Sequence, residues 1–209
     1  MAGFNAAYAI DNGYRTAHHG PAIVPPTGAG AAAVPFALPE AGKGDTVVVL
    51  ERDGLKVTAI RVDHGPVSPA VGYRFDYKGR SIVISGDTSK SPSLVAAAEG
   101  ADLLVHEALQ PKLVVMMTAA LDAKGIKNTA QITRDILNYH ATPEQAAESA
   151  QEAGVHQLVL SHIVPSIPSA FFYPAFLGDA PRRFTGPITI GEDGMLFSLP
   201  AGGSAIEER

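Results

Sequence analysis

The chain has 209 residues, 46% of them hydrophobic and 18% charged, and carries a formal net charge of -5; it can bury one sizeable core, so disorder is excluded and one domain, or a large piece of one, is expected over residues 1–209. No run of five or more Lys/Arg occurs, which argues against a broad phosphate-tracking surface and in favour of a small or locally anchored substrate. Cysteine is absent, which rules out a disulfide framework, a thiolate metal site and a cysteine nucleophile, so any metal must be held by His and carboxylates.

No stretch approaches the roughly 18 to 20 apolar residues of a membrane span, so a soluble chain with no membrane partner is expected. The compartment is left open between a bacterial-type cytoplasm and periplasm. The opening MAGFNAAYAIDNGYRTAHHG sets Asn5, Asp11 and Arg15 within an amphipathic pattern. It lacks the charged start and unbroken apolar run of a secretory signal and reads as a helix from inside a domain. Residues 20–44 are dense in Gly, Pro and Ala, which predicts an irregular, extended connection. From Asp45 the runs TVVVLERDG, LKVTAIRVDHG and GYRFDYKGRSIVISGDT predict three or four successive antiparallel strands, with a hairpin turn at Lys78-Gly79-Arg80.

A short helix is predicted over 91–100, with Ser91 as N-cap, Pro92 at the first helical position and Gly100 past its end. ADLLVHEA follows as a buried strand. Residues 109–139 carry a longer helical pattern broken at Lys124-Gly125, an insertion read as a helical pair with Met116 and Met117 in its core. In HATPEQAAESAQEAG, Thr142 sits as N-cap, Pro143 in the first turn, Gln145 three residues on and Gly154 at the stop, a complete set of helix signals. HQLVLSHIVP reads as a strand ending in a loop, and GPITIGEDGMLFSLP as a closing hairpin turning at Gly194. The alternation of strand and helix predicts an α/β class with mixed sheet order.

Three strand patterns end in a polar group where the apolar run stops: TAIRVDH at His64, SIVISGD at Asp87 and LVLSH at His162. Buried strands deliver side chains to fixed positions, and the loops beyond leave them open to solvent. Two imidazoles and a carboxylate suit Zn²⁺, Mn²⁺ or Fe. Singly, a strand-end His is more often a hydrogen-bonded structural residue than a ligand, and Gly-Asp-Thr can be an ordinary turn; their order and context carry the case.

The series VDHGPVSPAVGYRF, RSIVISGDTSKSPSLVAAAEGADLLVHEA and YHATPEQAAESAQEAGVHQLVLSHIVP resembles the second half of metallo-β-lactamase-fold hydrolases of the ribonuclease Z and arylsulfatase-like branch, over about residues 45–165. The resemblance implies an αββα sandwich. It also implies His64 as terminal ligand of one metal, Asp87 as the carboxylate bridging two, and His162 as ligand of the second, with two zinc ions in the complete protein and Mn or Fe as alternatives. His140 matches the position that protonates a leaving oxygen. Thr88 and Glu107 would orient ligands, or be solvated strand-end groups. His18 and His19 would reach the site or lie exposed, and His106 and His156 are read as structural or surface residues.

The family's H-x-H-x-D-H motif does not occur in the chain. The expectation is therefore a fold whose start lies upstream of Met1, an exposed apolar sheet face or edge, and self-association, including a homodimer. The function implied is hydrolysis of a phosphodiester or other ester by a metal-activated hydroxide. The tight hairpin at 78–80, where tRNA-processing relatives often carry a long arm, disfavours nucleic acid and favours a small-molecule ester. In that case Phe171, Phe172, Tyr173 and Phe176 would wall an apolar pocket or simply be core. Two alternatives stand beside this: a catalytically incomplete fragment serving as a binding or oligomerisation module, and a tRNA 3′-processing endonuclease. A serine hydrolase is disfavoured because no G-x-S-x-G elbow occurs.

Overall fold

Two two-residue turns start the sheet. Asp53-Gly54 and Lys78-Gly79 all have positive φ, the backbone twist that lets neighbouring strands meet without splaying. They join β1 (Thr46–Arg52) to β2 (Leu55–His64), and β3 (Val67–Tyr77) to β4 (Arg80–Ile84). These four strands form an antiparallel meander. From β4 onward the pairing is parallel, through β5 (Leu103–Leu109), β6 (Gln157–Val164) and β7 (Ile188–Ile190), so seven strands follow one another in chain order across one sheet.

This computed structural model describes residues 2–23, 35–39 and 44–209. The chain divides into two units, Met1–Ala37 and Leu38–Arg209. The first holds α1 (Ala2–His19); residues 24–34 and 40–43 of the expected connection lie outside the described residues. No helix among the described residues is long and apolar enough to cross a membrane.

Parallel strands need crossovers, and helices supply them. α2 (Pro92–Ala97) joins β4 to β5. α3 (Pro111–Ala123), α4 (Lys127–Asp135), a 3₁₀ turn and α5 (Pro143–Ala153) join β5 to β6, and α6 (Tyr173–Leu177) and α7 (Ala180–Arg183) join β6 to β7. The mixed α/β class holds, built on this central sheet.

One sheet face carries Ile60, Val62, Val83, Leu104, Leu158, Leu160 and Ile190 against Leu94, Phe176, Phe184 and four alanines of α5, in a single buried cluster. Ala146, Ala147, Ala150 and Ala153 recur at helical spacing, and their small side chains let α5 lie close to the sheet. Each buried Leu or Ile contributes roughly 1.5–3 kcal/mol. On the other face Leu50, Tyr77 and Ile84 remain 44%, 45% and 41% exposed.

Three readings are corrected. GPITIGEDGMLFSLP forms no hairpin: β7 joins β6 in parallel, while β8 (Phe197–Ser198) pairs with β9 (Glu207–Glu208). Gly191 N–H donates to Leu160 O at 2.8 Å, continuing the parallel ladder past β7. Met116 is 68% exposed, because α3 buries Val114 and Thr118 instead. Of the four aromatics proposed together, Phe176 is core, whereas Phe171 is exposed.

Candidate metal centre

β2 runs antiparallel to β3 and β3 antiparallel to β4, so β2 points the same way as the parallel strands that follow. The ends of β2, β4, β5 and β6 therefore share one sheet edge. There the chain sets His64 (last residue of β2), Asp87 (after β4), Glu107 (in β5), His140 (before α5) and His162 (in β6).

The approach to Asp87 depends on glycine. Gly86 has φ +62°, and a Cβ there would lie 2.5 Å from Val71 O; at Gly72 a Cβ would lie 2.7 Å from Ser85 O. β3 and the end of β4 thus approach backbone to backbone, with no room for a side chain at either point. His140 is placed by the next helix: Thr142 Oγ1 accepts from Gln145 N–H at 3.1 Å and Gln145 Oε1 from Thr142 N–H at 3.0 Å. This reciprocal cap fixes the α5 N-terminus two residues after His140.

Glu107 binds these segments together. Its side chain is 1% exposed, and Oε1 accepts from Thr88 N–H at 3.0 Å, His140 Nδ1 at 3.0 Å and Ala141 N–H at 3.2 Å. Thr88 Oγ1 in turn accepts from Asp63 N–H and donates to Asp63 O, both at 3.1 Å. A polar chain thus links the ends of β2, β4 and β5 to the loop carrying His140. Glu107 Oε2 is buried without a partner.

The ring nitrogens are oriented. His64 Nδ1 lies 3.0 Å from Tyr139 O; a carbonyl only accepts, so Nδ1 carries the proton and Nε2 keeps its lone pair. His140 Nδ1 likewise donates to Glu107, which presents Nε2 outward. The Glu107 hydrogen bond raises the His140 imidazole above the ordinary histidine range, against the opposing effect of burial and with help from the charges of Glu107 and Asp87. His162 Nδ1 is 3.5 Å from Asp87 Oδ1, longer than a hydrogen bond. Ring centroids are 5.0 Å apart for His64 and His140, and 5.9 Å for His140 and His162. His162 has φ +43°, a strained conformation for a histidine that the surrounding sheet must hold in place.

A histidine ligating a metal usually donates its other ring N–H to a carboxylate or carbonyl. His64 and His140 both have that arrangement, so the donor set fits a borderline divalent cation such as Zn²⁺. Glu107, His140 and His162 each offer one ligand atom within 4.8 Å of the others, although Glu107 and His140 were not among the expected ligands.

The other candidates separate from this cluster. His106 is fully buried beneath the sheet edge; burial pushes its imidazole down, and Nδ1 lies 2.7 Å from Glu107 O. His156 pairs with Asp102 at 3.4 Å. His18 stacks on Tyr14 within the N-terminal unit and is exposed. A cavity of about 460 Å³ begins at Ile163, the residue after His162, and is walled by Tyr173, Glu192 and Asp193 among others. Tyr173 alone of the four proposed aromatics lines it, and its hydroxyl donates to Glu192. Neither the Tyr139 carbonyl nor Asp63 carries a sequence signal for its part in the site.

The beta-lactamase superfamily domain model matches residues 11–163. The ribonuclease Z of Mycobacterium avium (strain 104) is 34% identical over 183 residues, covering 88% of this chain and 57% of that protein. A protein named putative ribonuclease Z from Mycobacterium tuberculosis (strain CDC 1551 / Oshkosh) is 33% identical over 187 residues, 90% of this chain and 73% of that one. The crystal structure of the short form of human tRNase Z superposes with a TM-score of 0.50 at 26% identity, over 75% of this chain and 46% of that one. The chain spans about half the length of most of the relatives it matches.

Proposed function

The chain belongs to the metallo-β-lactamase superfamily, in its ribonuclease Z-like branch, and from that premise we propose that it serves as a metal-dependent hydrolase of a phosphodiester or related ester. The observation that carries the reading is the convergence of His64, Asp87, Glu107, His140 and His162 on one sheet edge, with the proton-bearing nitrogens of His64 and His140 turned to protein acceptors. His64, Asp87 and His162 would hold the metal, with zinc the expected ion. When bound, it supplies Lewis acidity and makes water a nucleophile near neutral pH.

The protein's own groups do the rest. Glu107 holds His140 by Nδ1, so that Nε2 can give a proton to the leaving oxygen, and keeps the imidazole protonated to higher pH than a free histidine. Asp87 lies 3.5 Å from His162, which sets two of the expected ligands side by side. Thr88 keeps the Asp87 loop against β2 through Asp63.

A small ester suits the net charge of -5 and the two-residue turn at Lys78-Gly79. Cleavage of RNA is the second reading, favoured by the names of the relatives. The chain is tested with zinc or manganese on bis(p-nitrophenyl) phosphate and on a 3′-extended tRNA. Asp87→Ala should lose both metal retention and turnover. Turnover of neither substrate by metal-loaded wild type would overturn the hydrolase reading for this chain and favour a binding module; faster cleavage of the tRNA would select the second substrate.

A further inference from the structure

We infer that the cleft beyond His162 is a substrate subsite for an arm carrying an ammonium group, so that the ester cleaved at the neighbouring site bears a positive charge on one side. The inference deepens the proposed hydrolase reading and rests on it for the chemistry; the binding of a cation in the cleft is separable from it.

The place of the cleft follows from strand direction. β7 runs parallel to β6, so the loop that follows it, starting at Gly191, leaves the sheet at the same edge as His162. The segment after β6 leaves there too. Between them lies the cavity of about 460 Å³, lined by Ile163, Ser166, Ser169, Tyr173, Glu192 and Asp193 among others. Ile163 is the next residue in the chain after His162, so a substituent of an ester held at His162 is within reach of the cleft.

The lining is rich in hydrogen-bond acceptors and holds no cation. No Lys, Arg or His belongs to it, and among the described residues neither Glu192 nor Asp193 is ion-paired. The Tyr173 hydroxyl donates to Glu192, which joins α6 to the loop after β7 and holds that carboxylate at the wall. Tyr173 also brings an aromatic ring, to whose face ammonium ions are drawn. A phosphate entering here would meet two like charges with nothing to neutralise them, whereas a cation gains from both. An ester with an anionic reacting group and a cationic arm therefore matches the whole edge: the metal-ligating groups serve the first and the carboxylates of the cleft the second.

The test compares two chromogenic phosphodiesters of the same shape, p-nitrophenyl phosphocholine and p-nitrophenyl 3,3-dimethylbutyl phosphate, in which carbon replaces the charged nitrogen. Water breaks the bond to p-nitrophenolate in both, so only the arm differs. Zinc-loaded wild type and the Glu192→Gln, Asp193→Asn double variant are assayed, each first shown to be folded by circular dichroism. The expected result is a kcat/KM preference of at least about 5-fold for the choline ester in wild type, falling to near parity in the double variant. The preference should also shrink in about 0.5 M NaCl, as that of exposed charges does. A second readout needs no turnover: saturation-transfer NMR of choline on the metal-free chain should show binding to wild type and its loss in the double variant. Equal kcat/KM for the two esters in wild type, or a preference that the double variant keeps, overturns this inference and leaves the hydrolase reading standing. Turnover of neither ester with choline still bound overturns the hydrolase reading alone, and neither turnover nor choline binding overturns both.

Discussion

Glu107→Ala isolates what one buried carboxylate does for the site. In the wild type Oε1 accepts Thr88 N–H, Ala141 N–H and His140 Nδ1 at 3.0, 3.2 and 3.0 Å. Thr88 and Ala141 are both fully buried. Each backbone N–H left without an acceptor costs about 1–3 kcal/mol; two of them give roughly 3–4 kcal/mol once water entering the vacated space is allowed for. The His140 side chain, only 7% exposed, loses the same acceptor, so this figure is a lower bound. Glu107→Gln keeps a carbonyl oxygen for the same donors and places an NH₂ where Oε2 has no partner, so it should cost less than half as much. The assay is urea unfolding with EDTA present, so that bound metal does not contribute. For a chain of about this size, 3–4 kcal/mol corresponds to roughly a 6–16 °C fall in Tm. A loss below about 1 kcal/mol in Glu107→Ala, or equal losses in the two variants, would refute the view that Glu107 ties the site together.

Gly86→Ala would place a Cβ 2.5 Å from Val71 O at φ +62°; it should destabilise by more than about 2 kcal/mol and release the Asp87 loop, seen as faster amide exchange over residues 85–89. Burial raises the Asp102 carboxyl, but the Arg80 guanidinium and the Ser81 N–H outweigh it and hold the group below the ordinary range. Because that pKa is depressed, its stabilisation is present above the unfolded value of about 3.9 and is lost as pH falls through the folded value. Asp102→Asn should therefore flatten the acid limb of stability below about pH 4, measured by urea midpoints across pH. Thr142→Ala removes the reciprocal cap of α5 and should cost about 1 kcal/mol, read as a Tm fall of roughly 2–4 °C.

What the sequence announces is what local chemistry decides. The turn at Lys78-Gly79, the cap set Thr142, Pro143, Gln145 and Gly154, and the strands that stop at His64 and before Asp87 each depend on neighbours within a few positions. The closing segment shows the limit. Gly194 does turn, with φ +93°, but whether three residues at 188–190 pair with 197–198 or with β6 is set by competition among distant partners, and the Leu158–Leu160 edge of β6 wins. The exposure of Met116 has the same origin, since a helix pattern does not say which apolar flank finds a neighbour.

Glu107 is the residue whose role was least legible, and the reason is physical. In sequence it is one carboxylate at the end of an apolar run, equally suited to solvent. Its burial is offset only because donors from positions 88, 140 and 141, 19 to 34 residues away, converge on one oxygen. The strand ends bring His64, Asp87 and His162 to this edge, and the Thr88 N–H then ties the Asp87 loop to Glu107. His140 differs: it sits in a loop, and the Glu107 bond, the α5 cap and the neighbouring rings of His64, Tyr139 and His162 together fix where its ring lies.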